Sequence, residues 1–95
     1  MVIGVLHIEL ILHQSQSLKD KRSILRKIQG RIRSTFEVSV AEVGSQDLWQ
    51  HGELGIVTIG VDRAVINHVL DRVLNFVDRL GLAEVVNQQM EFINL

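Results

Sequence analysis

The chain has 95 residues, 46% of them hydrophobic, a mean hydropathy of +0.21 and a formal charge of −1 at neutral pH. This is one domain's worth of chain, spanning residues 1–95, with a small core. The absence of cysteine excludes disulfides, a thiolate nucleophile and cysteine-held metals, and no apolar run reaches the roughly 18 residues of a membrane span. The start lacks the basic segment and cleavage site of a signal peptide, so the cytoplasm is the expected location.

Val2–Leu12 alternates. Leu6, Ile8, Leu10 and Leu12 make an apolar face, and Ile3, Val5, His7, Glu9 and Ile11 a mixed one, which predicts a strand. Ser17, with Asp20 three residues on, predicts the cap of a helix over about residues 18–35. Its apolar stripe is Leu18, Ile24, Leu25, Ile28, Ile32 and Phe36. Val38–Val43 reads as a second strand. Val38 and Val40 share one face and Ala41 and Val43 the other, which predicts a bulge.

A loop of about ten residues follows and holds Trp49, the only tryptophan. Leu54–Val61 is apolar on both faces, as a central strand would be. Asp62 caps a second helix striped by Ile66, Val69, Leu70, Val73, Val77 and Leu80, and Gly81 ends it. Val85–Ile93 predicts the last strand, with Val86, Met90 and Phe92 inward and Gln88 the odd member.

The order β-α-β-β-α-β with right-handed crossovers predicts an α+β, ferredoxin-like split β-α-β fold. This is a four-stranded antiparallel sheet in order 4-1-3-2 with two helices on one face. The open face would then show Ile3, Val5, Ile11, Val57, Ile59, Val61, Val85 and Ile93. So apolar a face predicts a homo-oligomer formed through it.

That topology brings the first strand–helix connection, the start of the first helix, the Trp49 loop and the Gly81 turn to one end. Trp49 and His51 are expected there beside His13, Lys19, Lys21 and Arg22. Residues 19–33 carry seven basic side chains and one acid, a local +6 against −7 elsewhere. Arg22, Arg26, Gln29 and Arg33 form one row, and Lys27 and Arg31 lie on the other flank. With no acid three or four positions away inside the predicted helix (Glu37, four after Arg33, lies beyond it), the pairs Arg22–Arg26 and Lys27–Arg31 repel by a few tenths of a kcal/mol each. This local cost is the pattern of an anion-binding surface.

The functional expectation is RNA binding or ribosome association. Lys19, Lys21, Arg22, Arg26 and Arg33 would hold phosphates, Trp49 would stack on an unpaired base, and Gln46, Gln50 and His51 would meet base or sugar edges. The alternative for Trp49 is a structural cap, folded back with Leu48 over the open end of the core. No cofactor or metal is expected. His7 and Glu9 share a strand face as a histidine–glutamate pair, while His7 and His13 lie about 20 Å apart along the strand, too far to share an ion. There is no phosphate-binding glycine loop and no triad context, and "HQSQS" lacks the glycine-rich anion cradle of acylphosphatases, so an enzyme is not expected.

Three stretches, "MVIGVLHIEL", "SLKDKRSILRKI" and "FEVSVAEVGSQDLWQHGELGIVTI", resemble the YlxP-like family of small bacterial proteins, domain of unknown function 503. The resemblance covers essentially the whole chain and implies a ferredoxin-like fold. It is carried by Ser17, Leu18, Lys19, Lys21, Arg22, Ala41, Glu42, Gly44, Gln46, Asp47, Leu48, Trp49, Gln50, Leu54 and Gly55. Where the family commonly has a basic and a small apolar residue after Trp-Gln, this chain has His51 and Gly52. The family's genes often lie beside translation-initiation and ribosome-maturation genes, which implies an RNA-linked role by association.

Overall fold

The computed structural model describes residues 1–95 as β1 (Val2–Ile11), α1 (Leu18–Thr35), β2 (Ser39–Gly44), β3 (His51–Gly60), α2 (Arg63–Leu80) and β4 (Glu84–Asn94). The strands pair antiparallel in the order β2-β3-β1-β4. Both helices cover one face, giving the ferredoxin-like α+β layout that the element order implies.

Local chemistry sets the boundaries. The Ser17 hydroxyl accepts from the Asp20 N–H at 3.0 Å, and the Asp20 carboxylate accepts from the Gln16 N–H at 3.0 Å, a reciprocal cap on α1. Asp62 accepts from the Ala64 N–H at 2.8 Å and starts α2. Gly81, at φ 68°, ends it in the left-handed region that a side chain would strain.

The core lies between sheet and helices. Val2, Leu6, Ile8, Leu10 and Leu12 alternate into it from β1 and its end, and Val40, Leu54 and Ile56 from β2 and β3. Leu25, Ile28 and Ile32 meet them from α1, and Ile66, Leu70, Val73 and Val77 from α2. Each such side chain contributes about 1.5–3 kcal/mol of burial. A Cβ on Gly4 would stand 2.3 Å from a methyl of Ile66, so that glycine lets the first turns of α2 lie directly on the sheet.

Several sequence expectations shift. The β1–β4 register slips between Glu9 and Leu10, so Asn87 opposes Glu9 while Val85 opposes Leu10. Val86 is thus the extra residue of a bulge. It is 45% exposed, and Val85, not Val86, packs against the core with Met90 and Phe92. Val85 therefore leaves the predicted open-face patch. β3 begins at His51 rather than Leu54, because His51, Gly52 and Glu53 pair with Ile11, Leu10 and Glu9. The connecting loop is Ser45–Gln50, shorter than the ten residues expected. Leu18 lies on the helical stripe yet stays 37% exposed. In β2 the expected bulge is present, with the register shifting between Glu42 and Gly44 around Val43.

Candidate nucleic-acid interface

Helix α1 turns the line Lys21, Leu25, Ile28 and Ile32 towards the sheet. The Arg33 guanidinium donates to the Val40 carbonyl at 2.9 Å and to the Gln29 side-chain oxygen at 3.3 Å. The row Arg22, Arg26, Gln29 and Arg33 therefore runs along the β2 edge of the molecule, with Lys27 and Arg31 on the opposite flank.

Lys19, Arg22, Arg26, Lys27, Arg31 and Arg33 are all exposed. None has a carboxylate within 4.0 Å, since the molecule's ion pairs are His7–Glu53, His13–Glu84 and Lys21–Glu42. In α2 two of the three cations find aromatic partners: Arg63 lies 4.5 Å from the Phe92 ring centre and Arg72 5.7 Å from that of Phe36. Charge is segregated between layers. All ten Lys and Arg residues lie in the helices, while the strands carry five glutamates and no cation.

Lys21 departs from its expected place. It is 2% exposed, donates to the Ser45 carbonyl and stands 3.3 Å from Glu42 Oε2. Its ammonium meets β2 and the loop start, not solvent, so the five cations beside it and Arg33, rather than Lys21, form the surface. Ser45 has φ 59°, uncommon for a residue with a side chain. Its hydroxyl donates to Glu53 Oε2 at 2.7 Å, and Glu53 Oε1 meets His7 Nε2 at 3.0 Å. His7 thus pairs across the sheet with Glu53 rather than with Glu9. The Ser45 hydroxyl is the main cause holding the Glu53 carboxyl below its ordinary 4.5; burial opposes it, and the hydrogen bond and charge of His7 and the charge of Lys21 assist. The carboxylate rests over Gly44, where a Cβ would stand 2.3 Å from Oε2.

The loop is clamped at both ends. The Leu48 N–H donates to the Ser45 carbonyl at 3.1 Å, the Gln50 side chain donates to the Ser15 carbonyl at 3.0 Å, and the Leu12 N–H donates to the Gln50 carbonyl at 2.8 Å. His13 Nε2 meets Glu84 Oε1 at 2.7 Å and joins the α2–β4 turn to this end. Gln46 and Asp47 are exposed, and Leu48 and Trp49 keep 50% and 49% of their surface in solvent. Trp49 is therefore not a buried cap. His51 opposes Ile11 on the open sheet face, away from the α1 row.

Residue type alone hides the cluster of Lys21, Glu42, Ser45 and Glu53. Spacing nonetheless carries a signal for it. Lys21, Leu25, Ile28 and Ile32 are four, three and four apart, and Glu42 stands two residues after inward-facing Val40. A surface groove of about 980 Å³ lies at the other end beside Phe36, Val61, Val65 and Arg72, away from the Trp49 loop. No helix is long and apolar enough to cross a membrane.

Comparison with known proteins bears on both fold and family. A family model described as protein of unknown function (DUF503) matches residues 3–90. The uncharacterized protein YlxP of Bacillus subtilis (strain 168) is 39% identical over 77 residues, which cover 81% of this chain and 84% of the relative. Among solved structures, the structural-genomics protein YJCS has a TM-score of 0.61 at 13% identity, covering 97% of this chain and 99% of that one. The de novo designed protein Foldit4 has a TM-score of 0.54 at 13% identity, covering 100% and 99%. At such identities the likeness concerns the fold alone.

Proposed function

The chain belongs to the DUF503 family, and from that premise we propose that it is an RNA-binding or ribosome-associated accessory protein of the cytoplasm, acting through the cationic face of α1 without catalysing a reaction. One observation carries the reading: six exposed cations on a single helix, none with a carboxylate within 4.0 Å. Uncompensated cations repel one another and gain little from water alone, whereas a polyanion releases its counterions on meeting them. Trp49 and Gln46, in the loop whose first residue meets Lys21 of α1, are the further contacts.

Binding to ribosomal RNA across a salt series tests the reading. With five phosphate contacts to single strands the logarithmic slope is about −3.5, and losing two contacts in Arg22→Glu/Arg26→Glu lowers its magnitude by about 1.4. A flat salt response, or a double variant that binds like the parent, refutes it. Screening acyl phosphates for hydrolysis checks the non-catalytic part.

A second reading, homo-oligomerisation through the open sheet face, is favoured by a different observation. Ile93, Ile3 and Ile59 lie side by side in register across three strands, with Val5 and Val57 in the next row and Ile11 further along. Ile59 is 62% exposed and Ile93 44%. A sizing experiment that gives a monomer at tens of micromolar removes this reading. The two are compatible, because the helices and the open face lie on opposite sides.

A further inference from the structure

Resting on the cationic-face reading, we infer that the RNA is taken as a single strand along the β2 edge, with one unpaired base on Trp49, and that buried Lys21 is the positioning residue that holds the stacking loop in line with the cations. The row from Arg22 to Arg33 covers eleven helical steps, roughly 16 Å along the helix axis. It ends beside the loop, because Lys21 on the first turn of α1 grips the Ser45 carbonyl. A strand following the row therefore runs up to Leu48 and Trp49. A ring that is half in solvent can stack only on a base whose face is free, and the faces of duplex bases are covered by their neighbours.

Lys21 carries the second half of the inference. Along its stripe an apolar residue would pack without needing a carboxylate, and a buried ammonium is costly unless it is fully engaged. Its engagements are Glu42 and the Ser45 carbonyl, the end of β2 and the first residue of the loop. One contact fixes where the loop leaves the sheet. The other cancels a carboxylate that would otherwise lie beside the path of the phosphates. The Ser15 and Leu12 contacts to Gln50 fix the far end of the loop, so the backbone that carries the ring is held at both ends, which spares the entropy of ordering the loop on binding.

Trp49 is the only tryptophan, so its fluorescence reports stacking directly. The probes are an oligouridylate of about twelve nucleotides and an RNA duplex of the same length. The single strand is expected to quench Trp49 and to bind more tightly than the duplex. Trp49→Ala is expected to lower affinity for the single strand by roughly tenfold or more and to leave duplex binding unchanged. Lys21→Met, checked for folding by circular dichroism, loses the same preference while retaining the parental salt slope; if it does not fold, Trp49→Ala decides alone. Binding that is indifferent to strandedness, with Trp49 unquenched but with loss in Arg22→Glu/Arg26→Glu, overturns this inference and leaves the cationic-face reading standing. A folded Lys21→Met with the full preference overturns the role of Lys21, and no binding of either probe at low salt overturns both readings.

Discussion

A double-mutant cycle at Lys21 and Glu42 measures the ion pair that stands beside the Lys21–Ser45 contact. Lys21 is 2% exposed, and its ammonium lies 3.3 Å from a Glu42 carboxylate whose side chain keeps 26% of its surface in water. Breaking a fully buried pair costs about 3–5 kcal/mol, and the water that reaches Glu42 places Lys21→Met at or below the bottom of that range, about 2–3 kcal/mol. Glu42→Gln keeps an acceptor and costs about 1–2 kcal/mol, because the ammonium still has the Ser45 carbonyl. With neither charge present the double variant also costs about 1–2 kcal/mol, so the coupling is about 2 kcal/mol, within the span found for contacting pairs. Urea unfolding is the assay, since an uncharged denaturant does not screen the pair. Lys21→Met is expected to lower the melting temperature by roughly 10–20 °C. Single-variant costs that simply add, or a Lys21→Met with the parental urea midpoint, refute the placement of this lysine.

Other variants probe separate parts of the structure. Gly30 is an exposed residue inside α1, and a methyl added there would meet nothing within 4 Å, so Gly30→Ala is expected to stabilise by about 0.5–1 kcal/mol in calorimetry. Gly4→Ala puts a methyl 2.3 Å from Ile66 and is expected to destabilise by about 1–3 kcal/mol in urea unfolding. The folded Glu53 carboxyl lies below its ordinary 4.5, so its contribution to stability is complete above that pH and disappears as pH falls through the lowered value. Carboxyl titration by NMR is expected to show the Glu53 value rising in Ser45→Ala by more than in His7→Asn, because the Ser45 hydroxyl is its largest cause.

Regular patterns make most of the fold legible in the sequence. The alternation of β1, the caps Ser17 and Asp62 and the stop at Gly81 all act locally, and each stands where its residue type predicts. Period-two reasoning fails in β4 because it carries one parity through a strand, whereas the bulge at Val86 flips it midway. The loop reads too long because a glycine two residues after Trp-Gln resembles a turn. Gly52 is instead a buried strand residue that leaves room for Leu25, whose methyl would stand 3.1 Å from a Cβ. Charge alone assigns Lys21 to the surface, when its position on the stripe places it inside.

Part of the resembling motif also gains a physical meaning. Lys21 and Glu42 are contact partners, and Gly44 is the space in which the Glu53 carboxylate rests. The exposure of Trp49 lies beyond the sequence, because the path of its loop is set by contacts to Leu12, Ser15 and Lys21, distant in the chain, rather than by any local pattern.

Confining every lysine and arginine to the helices gives the molecule an electric dipole directed from the sheet towards α1. In the field of a polyanion, such a body feels a torque before it feels contact. It turns its helices forward over distances of about one Debye length, roughly 8 Å at physiological salt, so more encounters begin in a usable orientation. The same torque leaves Ile59 and Ile93 on the trailing side, open to whatever arrives next.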